Sequence, residues 1–153
     1  MSTVNASVYR DRFEAILADV SQPARLIGGE HGAGQGFYRG ANAQSAVGEL
    51  RVVLGFPDTY EIGISNQALQ ILYHLATDMA GVSVERSYLP WIDVSARMRE
   101  ADVPLLTLET WTPVAEAHLF GLTLQHEFNY TNVLEMLSLA GIPLLAEQRD
   151  ETH

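Results

Sequence analysis

Three stretches of this chain hold most of the side chains able to grip a ligand. Asp58, Tyr60 and Glu61 lie in the first, Trp91 in the second, and Gln125, His126, Glu127 and Asn129 in the third. Carboxylates, an amide, an imidazole and a phenol can exchange hydrogen bonds and protons with a polar molecule. Each also has an ordinary structural use. Asp58, after Pro57, can cap a turn, and Tyr60 can be a half-buried aromatic with a wet hydroxyl. Trp91 can be a core residue that closes a helix start, and His126-Glu127 can be a solvated loop pair. No catalytic set emerges by spacing. The five histidines, His31, His74, His118, His126 and His153, include no i, i+4 pair that would place two ligands on one helical face, so no metal site is expected. Gly63-Ile64-Ser65-Asn66 lacks the glycine that a nucleophile elbow needs two residues after its serine. Gly32, Gly34 and Gly36 follow no apolar strand and precede no Lys-Ser or Lys-Thr pair, which a phosphate-binding loop requires.

What gathers the three stretches is the pattern of elements around them. Leu50 to Phe56 is a nearly continuous apolar run ended by Pro57-Asp58, the pattern of a strand buried on both faces. A helix is predicted from Ser65 to Met79, with Leu69, Leu72, Tyr73 and Ala76 as its inward stripe and Ala68, Leu75 and Met79 beside it. Val82 to Ser87 reads as a second strand. Asp93 is placed to cap a helix to Arg99, with Val94, Met98 and Ala101 inward. Leu105 to Leu108 reads as a short strand and Leu119 to Leu124 as the third main one. Asn129 or Thr131 then caps a helix through Leu139, with Leu134, Met136 and Leu137 inward, stopped by Gly141 and Pro143.

Alternating strands and helices of this length predict βαβ units and a parallel sheet. The fold class expected is α/β: a Rossmann-like, flavodoxin-type three-layer sandwich with a mostly parallel sheet. Arg51–Phe56 is expected in the centre, between Val82–Ser87 and Leu119–Leu124. Ligands in such sheets bind beyond the carboxyl ends of the strands, which is where all three stretches fall. Only three main strands are legible, so the sandwich is expected to be incomplete towards its C-terminus. The unpaired edge this leaves on Leu119–Leu124 predicts self-association. Ahead of this unit, residues 1–48 read as a leader: a short amphipathic helix over Val8 to Val20, then a loop from Gly28 to Gly40. Residues 49–153 form the Rossmann-like domain.

Composition narrows the classes of function. Hydrophobic residues make up 47%, enough for a packed core. No apolar run reaches about 18 residues, and the N-terminus lacks a signal pattern, so a cytoplasmic location and no membrane partner are expected. Nineteen acidic residues against nine basic ones give a net charge of −10, which argues against nucleic acid. The chain has no cysteine, hence no disulfide, thiolate metal site or iron–sulfur cluster of its own.

Several ordered motifs resemble a family of cobalamin-domain radical S-adenosylmethionine proteins. They are Phe56-Pro57-Asp58-Thr59-Tyr60-Glu61-Ile62-Gly63-Ile64-Ser65 with Leu69-Gln70-Ile71-Leu72-Tyr73-His74, then Pro90-Trp91-Ile92-Asp93, then Leu108-Glu109-Thr110. Gly121-Leu122-Thr123-Leu124-Gln125-His126-Glu127 with Tyr130-Thr131-Asn132-Val133-Leu134 follows, and Arg25 to Glu30 is similar to the family's leader. The likeness runs from Pro23 to Leu145 apart from the glycine-rich loop. It implies an accessory, non-catalytic N-terminal domain. The family's iron–sulfur cluster and S-adenosylmethionine belong to a cysteine-bearing barrel not contained in this chain, and that barrel is the implied partner.

The resemblance also implies cofactor contact at Asp58, Tyr60, Gly63, Thr123, Gln125, His126 and Glu127. Asp58-Thr59-Tyr60-Glu61-Ile62-Gly63 fits the Asp-x-His-x-x-Gly frame of cobalamin domains, with Tyr60 in place of the histidine. Cobalamin is therefore expected, if bound by the longer protein, to lack a protein ligand to cobalt, and to bind this chain weakly. The alternative is a cofactor-free protein-interaction module on the same fold. A receiver domain is disfavoured because no acidic pair follows the first strand and the chain has no lysine. A flavodoxin is disfavoured because no Ser/Thr/Gly-rich phosphate loop does.

Overall fold

The computed structural model describes residues 5–28 and 50–150. Its elements are α1 (Asn5–Leu17), β1 (Leu50–Phe56), α2 (Tyr60–Ile64), α3 (Gln67–Thr77), β2 (Val82–Tyr88), α4 (Ile92–Glu100), β3 (Leu119–Leu122) and α5 (Asn129–Ala140). The three strands form one parallel sheet in the order β2-β1-β3, with β1 central as the sequence predicts. The chain is thus an α/β protein with an open, all-parallel, Rossmann-like sheet and an incomplete sandwich. The Gly28 to Gly40 loop falls outside the described residues beyond Gly28. Among the described residues no helix is long and apolar enough to cross a membrane.

Strand alternation sends β1 side chains to two cores. Phe56 and Leu54 pack with Leu69 of α3, Tyr88 and Leu108 on one face. Val53 packs with Met136, Leu139 and Ala140 of α5, with Leu105 and Val114, and with Phe120 and Leu122 of β3 on the other. A third cluster joins Phe13 and Ile16 of α1 to Val94 and Met98 of α4, with Val103, Leu106 and Trp111. Arg99 grips Glu135 through two hydrogen bonds of 2.8 and 2.9 Å and ties α4 to α5.

Several local expectations are corrected. In α3, Leu69 and Tyr73 are buried, but Leu72 and Leu75 are exposed, as is Met79 in the turn beyond it. A helix lying on two adjacent strands reaches them with one i, i+4 pair, and the rest of the stripe needs a cover that three strands do not supply. In α5 the buried apolar side chains are Met136, Leu139 and Ala140, while Leu134 is exposed. Trp91 is exposed rather than in the core. Asp93 lies inside the first turn of α4 instead of capping it, and its carboxylate accepts hydrogen bonds from the Ser21 amide and hydroxyl. Those bonds hold the Asp93 pKa below its ordinary value although burial pushes it up.

Leu105–Leu108 is not a sheet strand. It runs along the outer edge of β2, where the Leu108 amide donates to the Arg86 carbonyl at 2.7 Å, and it folds back through an isolated bridge between Leu106 and Pro113. The turn takes Trp111 to φ 56°, a left-handed conformation costly for a bulky residue. Its indole is held there by the Leu26 carbonyl, 3.0 Å from Nε1, and by the edge-on ring of Phe13.

The same segment buries charge. Glu109 accepts from Arg86 Nε and from the Arg86 amide, both at 2.7 Å, and the guanidinium lies 4.6 Å from the centre of the Tyr73 ring. Burial pushes the Glu109 carboxyl up, and Arg86 opposes that shift. Beside it on β2, burial pushes Glu85 up to about 7, against hydrogen bonds from Thr110 and Thr107 that favour the anion.

Candidate functional site

From β1 the chain crosses to β2 on one side, then passes back over β1 to β3 on the other. The loops after β1 and β3 therefore diverge, and an open crevice is left between the carboxyl ends of these two strands, as the topology requires. The crevice holds about 440 Å³. Asp58, Ser65 and Asn66 line one wall, and Gln125, His126 and Asn129 the other.

The walls are pinned by amides. Asn129 is buried, and its Oδ1 accepts from the Gln125 and His126 amides, both at 3.3 Å. Its Nδ2 donates to the Pro57 carbonyl at 3.2 Å, and Asn132 Nδ2 donates to the same oxygen at 2.9 Å. One asparagine thus links the loop after β1 to the loop after β3. Asp58 Oδ1 accepts from the Thr59 amide at 2.7 Å, and Asn66 Oδ1 caps α3 by accepting from the Leu69 amide at 2.9 Å. Gln125 Nε2 donates to Thr123 Oγ1 at 2.6 Å. The His126 ring stands edge-on to the exposed Phe128, 5.8 Å between centres.

The structure divides the residues that the sequence grouped. Asp58, Gln125 and His126 share the crevice, Thr123 adjoins it through Gln125, and Glu127 is exposed on the same loop. Tyr60 and Gly63 lie on the other side of β1. The Tyr60 ring packs edge-on against Tyr88 at 5.4 Å. A Cβ at Gly63 would fall inside van der Waals contact of the Tyr88 ring, so this glycine permits α2 to sit on β2.

That second side is closed by the leader. Arg25 pairs with Glu61 and stands 5.8 Å over the Trp91 ring, while Ser21 bonds Asp93. Only about 20 Å³ remains between the leader and Tyr60, Tyr88 and Trp91, room for a water molecule. The Glu61 carboxyl is held below its usual range by its backbone and Arg25 hydrogen bonds and by the Arg25 charge, although burial acts the other way.

Ser65, Asn66 and Asn132 are crevice or wall residues to which the sequence assigned no site role, although Ser65 and Asn132 lie within its motifs. Asn66 had a legible signal, an N-cap residue just before an amphipathic run. The wall-fastening role of Asn132 had no such signal, since its partner is a backbone carbonyl 75 positions away. Among the described residues no group of three histidine, aspartate or glutamate side chains converges as metal ligands. The crevice offers one carboxylate, one imidazole, amides and a hydroxyl, a set suited to binding a polar ligand by hydrogen bonds.

A family model described as radical SAM proteins, N-terminal, matches residues 68–153, from α3 to the last residue. No curated protein and no solved structure matches the chain.

Proposed function

We propose, for a chain that belongs to the family of radical SAM protein N-terminal domains, that the β1–β3 crevice is the ligand seat of an accessory domain serving a radical S-adenosylmethionine enzyme. The observation that carries this reading is the crevice itself, open at the topological switch point and walled by loops that Asn129 and Asn132 fasten to one carbonyl. Without cysteine the chain lacks the thiolates an iron–sulfur cluster requires, so the radical chemistry is assigned to a partner catalytic domain.

The finer reading is cobalamin at this seat. Asp58, Gln125, His126 and the hydroxyl of Thr123 are groups that can bond the amide side chains at the periphery of a corrin. A corrinoid supplies a cobalt centre for group transfer when bound. Tyr60 is packed on Tyr88, away from the crevice, and a phenol must lose a proton with pKa of about 10 before it binds a metal well. The cofactor would therefore be held by its periphery, with no ligand from Tyr60 to cobalt, and weakly, because the crevice is open on its outer side.

Titration of the chain with hydroxocobalamin, followed by visible absorbance and dialysis, tests this. Weak binding is expected, lowered by Asp58→Ala and Gln125→Ala and unchanged in Tyr60→Phe. Tight retention with a cobalt spectrum that Tyr60→Phe abolishes would overturn it.

A cofactor-free docking module is the second reading, and one observation favours it. All three rim loops carry exposed apolar groups: Ile62 after β1, Trp91 and Ile92 after β2, and Leu124 and Phe128 after β3. A ring of this kind suits contact with the catalytic domain. No corrinoid binding, together with catalytic-domain binding lost in Ile92→Asp and Phe128→Asp, would select this reading.

A further inference from the structure

The short helix α2 belongs to two neighbourhoods at once. Ile62 on it and Ser65 just after it line the crevice. Tyr60 faces the leader across the narrow space beside Trp91, and Glu61 pairs with Arg25 of the leader. A single short helix is thus a wall of the crevice on one side and the seat of the leader on the other.

Both ends of α2 are fastened. Before it, the Leu89 amide donates to the Asp58 carbonyl at 3.0 Å. After it, Ser65 Oγ donates to the Ile62 carbonyl at 2.8 Å, and Gln70 Nε2 of α3 donates to the Ile64 carbonyl at 3.0 Å. Its roll about its own axis is held less firmly. Five residues are too few to persist as a helix without tertiary support. Gly63 is the one buried residue of α2, and Ile62 is 54% exposed. No buried aliphatic side chain pins this helix to the sheet. Successive residues of a helix point about 100° apart, so drawing Glu61 towards the leader turns Ile62 towards the crevice.

The leader brings its anchors from elsewhere in the fold. Asp19 pairs with Arg97 at 2.7 Å and Ser21 bonds Asp93, which fastens the chain before Arg25 to α4. Just after Arg25, the Leu26 carbonyl accepts from Trp111 Nε1 at 3.0 Å. Arg25 thus stands between two fixed points, and its guanidinium rests over the Trp91 ring.

We propose that Arg25 and Glu61 are positioning residues for the crevice: their ion pair sets the roll of α2, and through it the Ile62 wall, so that docking of the leader regulates ligand affinity. The inference rests on the crevice being the ligand seat and names how that seat is controlled. Both side chains keep contact with water, so the effect is a modest one, about fivefold in affinity, with binding retained. Coupling of this kind is reciprocal, and a ligand in the crevice tightens the leader by the same factor.

The chain has no cysteine, so two labels can be placed uniquely. Spin labels on Ile62→Cys and Glu127→Cys of the whole chain report the distance across the crevice. Arg25→Glu should broaden that distribution, and Arg25→Glu combined with Glu61→Arg should restore it. In the unlabelled proteins, hydroxocobalamin affinity should fall about fivefold and return with the charge swap, while the melting curve stays close to that of the parent. A distribution unchanged in Arg25→Glu overturns the proposal. So does one that the swap leaves broadened, because Arg25 would then act through Trp91 and not Glu61. Should Arg25→Glu detach the leader outright, Glu61→Gln, which leaves the Asp19, Ser21 and Leu26 anchors in place, has to broaden the distribution alone, or the proposal fails. Distances that respond as expected in a chain that retains no hydroxocobalamin would refute the corrinoid reading and uphold the positioning role.

Discussion

Replacing Glu85 by glutamine should make the protein more stable at mildly alkaline pH. Glu85 sits on β2 opposite Val53, where Thr110 and Thr107 bond its carboxylate and Thr110 stands 2.7 Å from Thr112. Burial, reinforced by Glu109, pushes its pKa from 4.5 to about 7, while the threonine hydroxyls and Arg51 pull it down. Between these two values the folded protein holds a proton that the unfolded chain has lost. Stability therefore falls as pH rises through this window and is highest below it. Each pKa unit corresponds to 1.36 kcal/mol, and the residue keeps some contact with water, so the loss by about pH 8 is about 1–3 kcal/mol. Glutamine keeps the volume and can still bond the hydroxyls, but has no charge to bury.

Urea melts of wild type and Glu85→Gln across this range check the prediction, with the buried Trp111 as fluorescence reporter. The variant should lead above pH 7, and its lead should shrink towards zero as pH approaches about 4.5. The difference between the two proteins removes the part of the Glu109 contribution that does not depend on Glu85, and leaves the repulsion between the two carboxyls. A difference that is flat with pH, or a variant less stable at pH 8 than the parent, would refute the assignment.

Two other substitutions have clear expected outcomes. Glu109→Ala leaves Arg86 buried with its main partner gone and should cost about 3–5 kcal/mol by urea denaturation, while Arg86→Met with Glu109→Leu recovers most of that loss. Gly63→Ala sets a methyl against the Tyr88 ring and should cost about 1–3 kcal/mol, lowering the melting temperature by several degrees, with crevice ligands still bound because the glycine lies outside it.

Strand order and strand direction were legible because they rest on local patterns. Nearly continuous apolar runs at 50–56 and 119–122, and a β-branched start at Val82 and Val84, are separated by helix-length segments and specify a parallel sheet, and the connection rules place β1 in the middle. The rim loops were legible for the same reason, since loops after parallel strands share one end of the sheet. The missing cysteines, the acidic charge and the motif order narrowed the function from composition and sequence alone.

The partition of the rim depended on contacts distant in sequence. Tyr60 and Asp58 are two positions apart, yet one packs on Tyr88 under the leader and the other lines the crevice. Nothing in the hexapeptide around them encodes that division. It follows from α2 resting on β2 through Gly63, and from Arg25 and Ser21 crossing 36 and 72 residues to Glu61 and Asp93. The helix stripes failed in the same way. Periodicity shows that α3 and α5 are amphipathic, but which apolar positions are buried depends on how many strands lie beneath them, and three strands cover only part of each helix.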